Sequence, residues 1–178
     1  TECRELDTLP WIENFDHYDY GAPFYPIPDC WDRISTGANQ VRITDESSHS
    51  SPASLQFGPP RNGYAVVTLP ALASNFNINE VEVSFYLKGI VMNQFVEIGV
   101  MDDPMDINTF EPIERITLPY SWSYYTVPFK TYSGTGRYIA VKSDGSIGSN
   151  GGMVYYIDDL RIDSISDCTR PLSFKVND

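Results

Sequence analysis

An all-β fold, an antiparallel β-sandwich, is what this sequence predicts, and three observations predict it. Helical periodicity is almost absent. Short runs rich in β-branched and aromatic residues recur along the chain, and in the clearest of them apolar and polar residues alternate. That period of two marks a strand with one buried face. Between the runs stand clusters of Gly, Pro, Asn, Asp and Ser, whose backbone preferences suit turns. Many strands without intervening helices can bury their apolar faces only sheet against sheet.

Taken in order, strands are expected at 64–69, 81–87, 95–100, 124–129, 137–141 and 154–162. In 81–87, Val81, Val83, Phe85 and Leu87 alternate with Glu82, Ser84 and Tyr86. PPRNG, containing Arg61-Asn62-Gly63, and SDGSIGSNGG read as turns. Gly134 and Gly136 precede a strand instead of opening a helix, so they form a turn and not a phosphate cradle. The last strand poses a question. By strict alternation Asp158 shares a face with Val154, Tyr156, Leu160 and Ile162, which reads as the core face. An unpaired buried carboxylate costs several kcal/mol. Either something cationic meets it, or the strand bulges there and turns it out.

Size and charge bound the function. The 178 residues suit one large domain, or one domain with short flanks, and 24 acids against 12 Lys and Arg give a net charge of −12. A chain so acidic lacks the basic footprint that nucleic acid or an anionic membrane requires. No apolar run approaches 18 residues, so no membrane span is expected. The opening TECRELDTLPW lacks a signal-peptide pattern, as expected of a mature fragment or one module of a longer protein. Three cysteines, Cys3, Cys30 and Cys168, without a CxxC and with two distant histidines, argue against a zinc site. In an exported chain they would give one disulfide and one remaining thiol; in a reducing compartment, three thiols.

Catalytic patterns are weak. Met101–Asn108 gathers Asp102, Asp103 and Asp106 but lacks EF-hand spacing, so it reads as a solvated turn. His49 in ESSHSS brings Ser and His together only in sequence, and a triad is defined by three-dimensional geometry. No G-x-S-x-G elbow is present. The expectation is that the chain is not an enzyme.

Seven segments occur in one order: ENFD (13–16), PDCWDRIS (28–35), SPASLQF (51–57), GVMDDPMDINTFEPIERITL (99–118), WSYYTVPF (122–129), SGTGRYIAV (133–141) and YYIDDLRI (155–162). That order resembles the MAM-like, cleaved-adhesin-type (choice-of-anchor) jelly-roll modules of exported Bacteroidetes surface proteins, over about residues 10–163. The resemblance implies a jelly roll, an extracellular or cell-surface location, and a place in multi-domain adhesins, proteases or glycan-degrading proteins. Residues 1–9 would then be a linker from a preceding module. Residues 164–178 would be a linker and the start of a fibronectin type III-like module, and adjacent modules of the same chain would be neighbours. The resemblance also implies structural calcium. In such jelly rolls the first and last strands lie side by side, which would bring Glu13 and Asp16 towards Asp158 and Asp159. Alternatively Asp158 or Asp159 caps a bulge, or pairs with Arg161 or Arg33. The same adjacency would place Cys3 near Cys168 as a disulfide; its competitor, Cys3–Cys30, is similar to the early MAM bridge that precedes CW. Trp31 and Trp122 match family positions that look structural, in or near the core.

The inserted loop, residues 17–28, departs from the family pattern. Its Tyr18, Tyr20 and Tyr25 offer stacking surface for a glycan or for a host or surface protein, or else fold back over one end of the sandwich. Three functions stay open: a non-catalytic adhesion or ligand-binding module, a carbohydrate-binding module of a glycan-processing enzyme, and a calcium-stabilised spacer. Exposed coplanar aromatics with converging polar groups would mark a sugar site. A flat apolar patch of several hundred Å² would mark a protein partner, and neither would mark a spacer.

Overall fold

The computed structural model describes residues 3–20, 26–36, 41–58, 63–90, 94–144 and 154–165. Among these residues eleven strands form two antiparallel sheets. They are β1 (Trp11–Glu13), β2 (Asp32–Ser35), β3 (Val41–Thr44), β4 (Ser54–Phe57), β5 (Tyr64–Thr68), β6 (Val81–Gly89), β7 (Phe95–Met101), β8 (Glu111–Thr117), β9 (Ser123–Pro128), β10 (Tyr138–Asp144) and β11 (Tyr155–Ser164). One sheet runs β3-β4-β11-β6-β9, with β1 also paired to β11; the other runs β2-β5-β10-β7-β8. The expected β-sandwich is the observed fold, and all six strands expected from the sequence are present. Among the described residues no helix is long and apolar enough to cross a membrane.

The alternation in β6 does what its pattern predicts. Val81, Val83, Phe85 and Leu87 are all buried in the main core. Val96, Ile98 and Val100 of β7 and Ile139 and Val141 of β10 meet them from the facing sheet. Pro112 and Pro128 fall in β8 and β9, each at the edge of its sheet, where a residue without an N–H is tolerated. Gly136 is tied by its N–H to the Tyr132 hydroxyl at 2.7 Å, and a Cβ there would stand 2.6 Å from that oxygen.

Both ends of the described chain pack on this frame. β1 lies antiparallel to the far half of β11, with Trp11 opposite Ile162 and Glu13 opposite Leu160. The first and last strands are therefore adjacent, as the resemblance implies. Leu6, in the segment read as a linker, is instead buried in the core and bridges Leu72. Its N–H donates to the Ala71 carbonyl and its own carbonyl accepts from Ala73. The residues expected to start a following module lie mostly outside the described ones.

The disulfide expectation is corrected. Cys3 pairs with Cys30, with Cα atoms 5.2 Å apart, and not with Cys168, which lies outside the described residues. Cys30 lies in the turn before Trp31 and adopts φ 66°. The bond closes a loop of 27 residues, which on the chain-entropy model contributes about 3 kcal/mol. Replacing both Cys3 and Cys30 by Ser should lower the melting temperature by roughly 10 °C; an unchanged value in differential scanning calorimetry would contradict the pairing.

Candidate functional site

β11 answers the question raised by its two aspartates. Its register against β6 shifts between Asp158 and Arg161, and Asp159 adopts φ 49°. This bulge changes the phase of the alternation. Tyr155 and Ile157 face the core before it, and Leu160 and Ile162 face the core after it. Tyr156 and Asp158 therefore belong to the outer face, not to the core face that unbroken alternation would give them.

Asp158 is fully buried even so, because the segment before β4 lies over it. The backbone N–H groups of His49 and Ser50 donate to one carboxylate oxygen at 2.7 and 3.0 Å, and the N–H of Asp159 donates to the other at 2.7 Å. Burial, with the neighbouring Asp159 charge, pushes its pKa up to about 7 despite these donors. Asp159 holds the same segment by its side chain. One oxygen lies 2.6 Å from His49 Nδ1 and the other accepts from Ser50 Oγ at 2.7 Å. Three backbone N–H groups thus meet the Asp158 carboxylate, and Arg161 pairs with Asp163. His49 and Ser50 both contact the Asp159 carboxylate with their side chains.

The four acids expected to share calcium are divided between two settings. Glu13 accepts from the Phe15 N–H at 2.7 Å and from the Tyr18 hydroxyl at 2.8 Å. Asp16 accepts from Ala53 N–H and Asn14 Nδ2. Among the described residues no three acids, histidines or cysteines gather as a group able to hold a metal ion. What favours a cation is different: Glu13 and Asp158 are both buried, and no Lys, Arg or His side chain among the described residues pairs with either. Each keeps unused lone pairs, since a carboxylate offers about four acceptor sites. A cation there would draw the rest of its shell from carbonyls and water.

The loop tyrosines separate. Tyr18 packs on the core and gives its hydroxyl to Glu13; burial, then Glu13, raises its pKa strongly. It is partly buried, with its hydroxyl committed to Glu13. Tyr20 is exposed, and Tyr25 lies outside the described residues.

The aromatic surface that sequence reasoning missed lies elsewhere, on the outer face of the β3-β4-β11-β6-β9 sheet. Across that face Arg42, Gln56, Tyr156 and Lys88 stand in one cross-strand row, and Asp158, Tyr86 and Tyr124 in the next. The held segment lays the His49 ring on Tyr86, with centroids 3.4 Å apart and planes at 11°. Trp122 meets His49 edge-on at 5.9 Å, and Tyr124 tilts against Tyr86 at 5.2 Å. Trp122, expected in or near the core, is half-buried on this outer face; Trp31 is in the core as expected. Beside the rings runs a polar network. Glu46 takes Arg42 at 2.5 Å and Gln56 at 2.6 Å, and Gln56 also reaches the Tyr156 hydroxyl at 3.1 Å. Tyr124, 57% exposed, is the most open of these rings. The outward phase of Tyr86 in the β6 alternation was the one sequence signal for this surface.

No protein-family model matches the sequence, and no curated protein matches it. Solved structures do. The K1 cleaved adhesin domain of Lys-gingipain from Porphyromonas gingivalis W83 superposes with a TM-score of 0.65 at 12% identity, over 89% of this chain and 100% of that one. The K3 cleaved adhesin domain of the same protein gives 0.61 at 16%, over 86% and 96%. The CBM22-1 xylan-binding domain of Paenibacillus barcinonensis Xyn10C gives 0.55 at 16%, over 86% and 92%.

The pH dependence of Asp158 is testable. A carboxyl whose folded pKa is raised contributes stability fully present below its unfolded pKa near 4 and lost as pH rises through the folded value near 7. In metal-free buffer, wild type should lose stability relative to Asp158→Asn between pH 4 and 7, by a few kcal/mol. Parallel stability profiles in chemical denaturation would contradict this. On these combined observations, the chain has the fold of the cleaved adhesin domains.

Proposed function

We propose that this domain is a non-catalytic adhesion or ligand-binding module of a secreted or cell-surface protein, and that it binds a glycan on the outer face of the β3-β4-β11-β6-β9 sheet. One observation carries the reading: a stacked His49–Tyr86 pair, flanked by Trp122 and exposed Tyr124, stands beside the Arg42–Glu46–Gln56–Tyr156 network. Sugars present apolar C–H faces and hydroxyl edges together. Rings meet the first and a fixed set of donors and acceptors meets the second. The pre-set network limits the ordering cost of binding.

The similar folds include adhesin domains and a xylan-binding domain, which fits this reading without choosing its ligand. The Cys3–Cys30 bond fits an oxidising, extracellular compartment. Structural calcium is part of the proposal, supported by the two buried carboxylates of Glu13 and Asp158, which lack a cationic partner among the described residues. A ligand that binds only the folded state raises its stability by mass action. Calcium should therefore raise the melting temperature of EDTA-treated wild type and leave Asp158→Asn unmoved; a wild type indifferent to both calcium and chelator would refute the calcium part alone.

The glycan reading is tested by a glycan array on wild type and Tyr124→Ala. Because Tyr124 is exposed, its truncation should leave the melting temperature nearly unchanged while weakening binding by about 1–2 kcal/mol. Binding that ignores Tyr124 and Trp122 truncations would remove this face as the site.

A further inference from the structure

We infer that the glycan recognised on this face carries a carboxylate, and that Lys88 is the group that selects it; the inference rests on the glycan reading above. Lys88, near the end of β6, stands opposite Tyr156 on β11 and next to the start of β9. Its ammonium lies 5.9 Å from the centre of the Trp122 ring and donates to Ser47 Oγ at 3.2 Å.

The polar and charged groups around it have other partners. Arg42 is paired with Glu46, and His49 with Asp159. Asp158 is buried beneath backbone N–H groups. Among the described residues no carboxylate lies within ion-pair distance of Lys88, although the protein carries twice as many acids as bases. A half-buried ammonium with one hydroxyl acceptor and one ring keeps donors to spare, since it carries three. A carboxylate on a sugar stacked at Trp122 would take them as a charge-assisted hydrogen bond, stronger than one to a neutral hydroxyl.

The overall charge of −12 narrows the class. A densely sulfated polymer would be repelled by the acidic surface, whereas a sugar with isolated carboxylates would suffer little. Uronic acids and sialic acids share that chemistry.

The experiment uses matched pairs on the wild-type protein. One pair is a uronic-acid oligosaccharide and its carboxyl-reduced, neutral counterpart. The other is a sialylated glycan and the same glycan after sialidase. The acidic member of at least one pair should bind tenfold or more tightly, with a preference that shrinks as salt rises. Lys88→Gln should erase the preference while keeping the weaker neutral binding, and Lys88→Arg should keep a large part of it. Equal binding within both pairs, or a preference that survives Lys88→Gln, overturns the inference and leaves the glycan reading standing. Binding to neither member of either pair, with none elsewhere on the array, overturns the glycan reading and this inference with it.

Discussion

The break of step in β11 at Asp158 is the constraint on which the rest of the structure depends. Without it, the apolar residues on one side of Asp158 or the other would face away from the core, because a slip of one residue inverts a strand. With it, Tyr155 and Ile157 and then Leu160 and Ile162 all reach the core, and two carboxylates are turned out. Those carboxylates then hold the segment before β4 by four contacts to His49 and Ser50. The position of the His49 ring on Tyr86 is a consequence of that hold. The bulge thus ties core packing to the shape of the outer face.

The two outer faces of the sandwich differ in how they are finished. Over the five-stranded sheet, Val66, Met101 and Ala140 are covered by Ile34, Tyr64, Ile107, Phe110 and Tyr138. Gly99 permits that cover, since a Cβ there would stand 2.7 Å from the Phe110 ring. That face consumes its own apolar surface. The face across β3, β4, β11, β6 and β9 keeps rings and polar groups side by side, with Tyr124 open and Lys88 bonded to Ser47 and in ion-pair distance of no acid among the described residues.

Much of the fold was legible in the sequence, because strand alternation is a local signal. The residues of β6 report their own faces, and the prolines of β8 and β9 agree with edge positions. Asp158 was legible as an anomaly, and a bulge was one of its two foreseen resolutions. What was not legible is the phase change itself: strict alternation assigned Tyr156 to the core, and a count along the chain cannot see a residue inserted by a bulge. Nor could it see that His49 and Ser50 would meet Asp158 and Asp159 from more than a hundred residues away. Trp122 was misread because a tryptophan beside a strand start serves a core and a surface platform equally well. The aromatic loop drew attention through composition, yet Tyr18 spends its hydroxyl on buried Glu13. The choice between two bridges for Cys3 depended on which segment the fold brings beside it, and that is not written in local spacing.

The central claim is that the held segment and the sheet beneath it form a glycan-binding face. It is tested most directly by NMR chemical-shift mapping of the intact domain during titration with a glycan selected from the array. Perturbations should concentrate at Tyr86, Lys88, Trp122 and Tyr124, and at the His49 ring. Perturbations centred on Tyr20, or on Phe110 and Tyr138 of the opposite face, with these residues unmoved, would contradict it.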